Sequence, residues 1–571
     1  MLNGNLIQGH PDYRRELESS RYPLGVYEDG LQEGLSPFCT PRESLIFDWA
    51  AGVGERRCRV SGRWPWSVYV RVLMPAGGWM SARLLDAVAA LSERHGMGLV
   101  HFATGGTLEI YTTEAQVDAL VERLHREGLE IGSTGEDLRY PVACAGPIRC
   151  DMALIPAPDL ATYLGRRFWE EQQFPGLPHK CKVGVAGCPR DCVRASHRDM
   201  AFIGVPAPRP GGKPGVAVML GGKYGQLTGR GAMPGRLLVP YLPLDFRTVG
   251  DVCARFLQVW CQEAENRERV GDFVARLGEE EVLARLRDAL PSGPSLATEA
   301  APATAGMPDY RLHLSPALRE RCGLWVEHFS PQPGVLCHRA ADGWECWTVR
   351  VLLPAVGMLS ASTLRWLAEL TRTYAQAARR TSRQGFELVG VEAQSLPSLR
   401  DEVARAGLVV GGSGVSVRQI KACTGYLHCQ NALVDSPSLA QRLGEALHRS
   451  LDGVILPAPL RVAVSGCPND CAGAQGADLG LIGRYLHGEG GGRRVACYVG
   501  GRAGLSPRLG QMLIPFLPGF VAHPENLAVL SDLVLDWCRG ARPGERLGDW
   551  VARDWVTRGG KAGSICVRQR G

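Results

Sequence analysis

The chain has 571 residues, 45% of them apolar, which is too long for one hydrophobic core and predicts several domains. Its 64 basic and 58 acidic residues leave a net charge of +6, and no Lys/Arg tract interleaved with aromatics occurs, so composition gives no argument for nucleic acid. The opening stretch, MLNGNLIQGHPDYRRELESSRYPLG, has no apolar core of a secretory signal, and no run of 18 apolar residues occurs, so a cytoplasmic protein without a membrane span is expected. In that compartment 19 cysteines point to metal or redox chemistry rather than to a disulfide framework.

In chain order, WSVYVRVLMP (66–75) is rich in β-branched and apolar residues and predicts a strand. SARLLDAVAALSERHG (81–96) has apolar positions at helical spacing, Ser81 to cap its start and a glycine at its end. GLVHFAT (98–104) and TLEIYTT (107–113) read as short strands joined by a Gly-Gly turn, and EAQVDALVERLHREG (114–128) as a second helix. This β-α-β-β-α order is that of a ferredoxin-like, split βαβ layer. Downstream come CAGPIRC (144–150), the strand CKVGVAG (181–187) and CPRDC (188–192). PSGPSLATEAAPATAGMP (291–308) is Pro/Ala/Ser/Gly-rich and reads as a flexible linker.

After the linker the pattern recurs. VRVLLPAVGMLSASTL (349–364) repeats VRVLMPAGGWMSARLL (70–85), and CTGYLHC (423–429) and CPNDC (467–471) repeat the two cysteine loops. Cys144, Cys150, Cys188 and Cys192 map onto Cys423, Cys429, Cys467 and Cys471 at a constant offset of 279, and Cys58 onto Cys337. Arg139 maps onto Arg418, and Gly221-Gly222-Lys223 onto Gly500-Gly501-Arg502. The chain is a tandem duplication whose unit is too long for a solenoid, so each unit is expected to fold on its own terms. The predicted fold class is α+β. One half spans 1–290, with a ferredoxin-like region at about 60–135 and a cysteine-bearing α+β region at about 136–290. The other spans 309–571, with the same regions at about 335–412 and 413–571.

Four thiolates per half are the number that holds one [4Fe–4S] cluster, and the glycine-rich loops AGC and SGC can supply N–H donors to its sulfurs. A four-cysteine zinc site is the competing reading, although zinc favours shorter spacings than the five residues between Cys144 and Cys150. The other eleven cysteines have no cluster-like spacing and read as core or surface thiols.

C-x5-C followed by G-C-P-x-D-C resembles the siroheme-linked cluster motif of sulfite and nitrite reductases. The first half, through GSTGEDLRYPVACAGPIRC, LPHKCKVGVAGCPRDCVRASHRDMAFIG and NRERVGDFVARLG, is similar to the alpha subunit of dissimilatory sulfite reductases. The second half, through VGGSGVSVRQIKACTGYLHCQNA and LPAPLRVAVSGCPNDCAGAQGADLGLIG, is similar to the beta subunit. The chain departs from that family in joining the two subunits and in having no C-x2-C-x2-C run of an inserted ferredoxin domain. The resemblance implies two [4Fe-4S] clusters and one or two sirohemes per chain, one of them non-catalytic or metal-free. It implies reduction of sulfite towards sulfide, an external electron donor, a small sulfur-carrier partner with C-terminal cysteines, and a homodimer standing for α2β2. Nitrite reduction or another siroheme chemistry, a haem-free iron–sulfur electron carrier and a zinc-stapled structural protein are the other readings.

The resemblance also implies a crossed site. Siroheme iron shares a sulfur with the last cysteine of a C-x3-C, Cys192 or Cys471, and the opposite half covers its open face. Lys180 and Lys182 match the family's Lys-x-Lys, and Arg139 an anion-contacting position. The catalytic pocket is expected to combine Arg139, Lys180 and Lys182 with Cys423, Cys429, Cys467 and Cys471. The second pocket combines Cys144, Cys150, Cys188 and Cys192 with Arg383, Arg418 and Arg461. Arg461 stands where Lys182 would be, and arginine does not readily give up a proton, so this pocket reads as structural or vestigial. Lys223 and Arg502 are candidates for the macrocycle's carboxylates. Alternating lysines also mark a solvated strand edge, and a lone histidine such as His179 is more often structural.

Overall fold

The computed structural model describes residues 53–55, 68–96, 98–132, 138–170, 176–225, 230–290, 309–354, 357–425, 429, 431–451, 454–486, 492–518 and 524–555. The linker read at 291–308, the N-terminal stretch and Cys58 lie outside the described residues.

The first layer comprises β1 (Val53–Glu55), β2 (Val68–Val72), β3 (Trp79–Met80), α1 (Ala82–His95), β4 (Leu99–Phe102), β5 (Leu108–Thr112) and α2 (Val117–Arg126). Ser81 Oγ accepts from Leu84 N at 3.3 Å and caps α1, which buries Leu84, Leu85, Val88 and Leu91 along one face. A five-stranded sheet follows, in the order β10-β9-β8-β7-β6. Its strands are β6 (Leu138–Ala143), β7 (Cys181–Ala186), β8 (Met200–Val205), β9 (Gly215–Leu220) and β10 (Arg236–Pro243). β6, β7 and β8 are parallel, and β9 and β10 return antiparallel. The helices α3 (Ala157–Gly165), α4 (Phe246–Glu263) and α5 (Val270–Leu277) contribute to its core, with Trp260 of α4 fully buried.

The second layer repeats the first with β11 (Trp325–Gln332), β12 (Val335–Ala340), β13 (Glu345–Leu352), β14 (Met358–Ser360), α6 (Ala361–Tyr374), β15 (Ala377–Arg380), β16 (Phe386–Val391), α7 (Leu396–Arg405) and β17 (Val409–Val410). Ser360 caps α6 as Ser81 caps α1. The last sheet runs β18-β19-β20-β21-β22. Its strands are β18 (Lys421–Ala422), β19 (Val462–Ser465), β20 (Leu479–Leu486), β21 (Gly492–Val499) and β22 (Gln511–Pro518), with the helices α8 (Ser436–Ser450) and α9 (Pro524–Gly540) beside it. Trp537 of α9 is buried as Trp260 is. No described helix is long and apolar enough to cross a membrane.

The halves do not fold on their own terms, and here the sequence expectation is corrected. β14 pairs with β4 and completes the first layer's sheet, while β3 pairs with β15 and completes the second layer's. One apolar cluster joins Val70, Leu85 and Val100 to Val349, Leu364 and Leu388. Across the helix seam, Arg365 bonds Glu93 and Arg372 bonds Asp86. Neither layer can bury its sheet edge or its helix face without the other, so the two layers form one body. The α+β class and the duplicated ferredoxin-like layers stand as expected.

Candidate active site

The two CPxDC loops are built alike. Asp191 has a left-handed φ of 45°, and its carboxylate accepts from Ala195 N at 2.7 Å and Ser196 N at 3.0 Å. Asp470 has a φ of 47° and accepts from Ala474 N at 2.6 Å and Gln475 N at 3.0 Å. A short acidic side chain tolerates that backbone and satisfies the N–H groups of the next turn, so each loop folds back over the end of β7 or β19. Beneath the loops, a Cβ on Gly204 would strike the Gly187 carbonyl and one on Gly483 the Gly466 carbonyl.

Each quartet of cysteines is brought together. Gly187 N donates to Cys144 Sγ at 3.1 Å, and Gly466 N to Cys423 Sγ at the same distance of 3.1 Å. Burial pushes the Cys144 thiol up to about 12, with the nearby Cys192 and Cys150 adding to the shift, and Cys188 up to about 11. In the second quartet burial, then Cys471 and Cys429, push Cys423 up to about 12, while a hydrogen bond with Cys429 leads the rise of Cys467. Thiols that crowd and neutralise each other in this way become thiolates when a cation joins them. Among the described residues no three cysteine sulfurs fall within 4.8 Å of one another. The sulfurs around one tetrahedral zinc ion stand only about 3.8 Å apart.

Cys192 and Cys471 both line a cavity of about 220 Å³. Lys180 and Lys182 line it as well, and flank Cys181, which turns with Val183 and Val185 into the core on the other face of β7. Arg139 on β6 is the ladder partner of Lys182. Burial, then Lys180 and Arg269, push Lys182 down to about 7, while Cys471 acts in the opposite direction. Lys180 is lowered by burial and then by Arg269, and it too senses Cys471. His179 Nδ1 accepts from Lys180 N at 2.8 Å, and burial pushes this ring down to about 4, so it is neutral near pH 7.

Of the second group, Arg383 lines the cavity, whereas Arg418 and Arg461 do not. Arg383 donates from Nε to the Gln419 carbonyl at 2.9 Å. Arg418 is pushed down to about 9 by burial first and then by Arg350 and Arg461. Arg461 stands 3.7 Å from Asp478. Cys192 is the thiol that acts on both Arg418 and Arg461. Lys180 and Lys182 therefore sense the charge of a second-half cysteine, and Arg418 and Arg461 that of a first-half cysteine. Lys223 also lines the cavity, but its Nζ is held by Asp272 at 2.5 Å. Arg502, its repeat counterpart, is exposed and does not line this cavity.

Sequence reasoning missed four cations of this wall, Arg194, Arg198, Lys421 and Arg269, the last of them paired with Asp199 at 2.8 Å. Burial, followed by Arg194, Arg198, Arg383 and Arg380, holds Lys421 well below its ordinary value. Arg198 Nε and Arg380 Nε are buried with no hydrogen-bond partner among the described residues. The cations of this wall outnumber its two carboxylates, Asp199 and Asp470, and such a buried excess of positive charge suits a polyanion. The signal was present in the repeat: Arg194, Arg198 and Lys421 stand opposite Gly473, Ala477 and Val142.

The family described as nitrite and sulphite reductase 4Fe-4S domain matches residues 134–292 and 413–554. The nitrite/sulfite reductase ferredoxin-like half domain matches 67–127 and 338–406. The chain belongs to the nitrite and sulfite reductase family, a family of oxidoreductases. It is 27% identical to the dissimilatory-type sulfite reductase subunit beta of Nitratidesulfovibrio vulgaris, over 29% of this chain and 46% of that subunit. It thus spans about half the length of that relative. It is 26% identical to the ferredoxin–nitrite reductase of Synechococcus elongatus, over 78% of this chain and 82% of that enzyme. Its fold matches that of the NirA protein of Mycobacterium tuberculosis with a TM-score of 0.69 and 22% identity, covering 94% of this chain and 98% of that one.

Proposed function

We propose that this chain is a siroheme- and [4Fe-4S]-dependent sulfite reductase of the dissimilatory type, with alpha-like and beta-like halves fused and without inserted ferredoxin domains. The observation that carries the reading is the meeting of Lys180 and Lys182 with Cys471 at one cavity. Cys423, Cys429, Cys467 and Cys471 would hold one cluster, and Cys144, Cys150, Cys188 and Cys192 a second. Arg194, Arg198, Arg383 and Lys421 would hold the carboxylates of the macrocycle, whose many negative charges match this buried cation group. Siroheme, when bound, supplies an iron that ligates the substrate's central atom and passes it electrons.

The protein's own contribution is charge and protons. Lys180, Lys182 and Arg139 present fixed positive charge to an oxyanion in a buried site, where such charge acts strongly. Lys182, drawn down towards neutrality, is suited to giving a proton to a departing oxygen, which an arginine is not. In the opposite group Arg461 replaces that lysine, so the pocket over Cys192 is read as structural. Sulfite, an external electron donor and a sulfur-carrier protein are the partners this reading brings, and a homodimer is its assembly.

Nitrite is the second reading, favoured by the length of the match to the Synechococcus elongatus nitrite reductase. Sulfite and nitrite turnover measured on one preparation separate the two. A kcat/KM for sulfite above that for nitrite supports the dissimilatory reading, and the reverse order replaces it.

A further inference from the structure

The outer sheet of the second half carries metal-binding side chains for which the reductase reading has no use. His328 of β11 and His338 of β12 are directly opposed in the antiparallel ladder, and their ring centroids lie 4.4 Å apart with the planes tilted by 32°. Asp151, in the loop just after Cys150, reaches the same face and places its Oδ1 3.9 Å from His338 Nε2. One ligand atom from each of Asp151, His328 and His338 lies within 4.8 Å of the other two.

His338 has a side chain only 1% exposed, and Nε2 is the ring nitrogen that faces Asp151. The 3.9 Å to Asp151 is too long for a hydrogen bond. It is close to the spacing of two donors sharing a metal, roughly 3.4 Å for bonds of about 2.0–2.1 Å. Asp151 and His328 are exposed, which gives an ion a way in. Of the cations that act on His328, Arg149 and Arg190, the first is paired with Glu387 at 3.1 Å.

We propose that Asp151, His328 and His338 form a site for a divalent d-block cation of the zinc class, with two imidazoles, one carboxylate and a remaining position for water. The ion would clamp the first-half loop carrying Cys150 and Asp151 to the sheet of the second half. The repeat counterparts of the three ligands are Gln430, Trp49 and Arg59, so the clamp belongs to one side of the molecule only. This inference does not depend on which anion the chain reduces.

The test uses the iron-loaded protein, dialysed against EDTA and titrated with Zn²⁺ alone by calorimetry. His328→Ala and Asp151→Asn are run beside it, since both positions are at the surface. The wild type should take up one more equivalent of zinc than either variant, or retain it through dialysis, or bind it at least tenfold more tightly. Iron per chain should be equal in all three, which shows that the variants are folded and that the cysteine quartets are not the zinc sites compared. Equal zinc uptake and affinity in the three proteins, or no zinc uptake by the wild type, overturns the proposal.

Discussion

Arg194 donates from Nη1 to the carbonyl of Gly473 at 2.9 Å, and these two residues occupy the same place in the two repeats, 279 positions apart. Both have left-handed backbones, with φ of 55° and 70°. The equivalent loops of the two halves thus touch at the cavity that holds Cys192 and Cys471. One of the two equivalent positions carries a cation and the other carries none. The duplication has kept its backbone symmetry and lost its charge symmetry.

Arg194→Met should remove one of the cations assigned to the macrocycle without touching a cysteine. Extracted tetrapyrrole per chain is expected to fall severalfold, while iron assigned to the clusters stays near the wild-type value. Unchanged tetrapyrrole would remove Arg194 from the binding wall.

Lys180→Ala and Lys182→Ala should each lower kcat for sulfite by about 10²–10³, the size of loss seen when one preorganised donor to a developing charge is removed. Arg461→Ala should cost far less, because Arg461 senses the charge of Cys192 rather than that of Cys471. Steady-state rates of the three variants decide the matter. If only Arg461→Ala is inactive, the catalytic and structural pockets exchange roles.

Much of this was legible in the sequence, and the exceptions have physical causes. The cysteine quartets, the two lysines and the helix cap Ser81 are local patterns that survive any packing. The strand exchange is not local. β3 is two residues long and β14 three, too short for periodicity to announce, and their partners belong to the other half. Lys223 shows the limit of motif reasoning. It lines the cavity, yet its ammonium is committed to Asp272, which lies outside the repeated glycine motif.

Glu387 is fully buried and bonds Arg149 at 3.1 Å, Arg379 at 2.7 Å and Arg350. These arginines hold its carboxylate far below the ordinary range despite the opposing effect of burial. Glu387→Gln should destabilise the protein by about 3–5 kcal/mol, because three partly or fully buried arginines lose their counter-charge. The folded-state value is depressed, so the stabilisation is present above the unfolded carboxylate value of 4.5 and is lost as pH falls below it. Urea midpoints of wild type and variant, measured from pH 7 down to pH 4, should differ most at the upper end.

Cys188→Ser and Cys467→Ser should each remove about one cluster, roughly four irons, from the protein. Gly483→Ala should lower iron in the second quartet alone, since its new Cβ pushes on the Gly466 carbonyl beside Cys467. Iron and labile sulfide analysis of the three variants checks this. Iron retained in full by Cys467→Ser would dismiss that residue as a ligand.

A siroheme and [4Fe-4S] reductase declares itself in the absorption spectrum of anaerobically purified protein, with iron, labile sulfide and extracted tetrapyrrole counted per chain. A siroheme spectrum with two clusters per chain is the predicted result, and tetrapyrrole in excess of haem iron would place a metal-free ring in one pocket. Brown protein lacking tetrapyrrole, or colourless protein holding zinc in place of iron, would contradict the account.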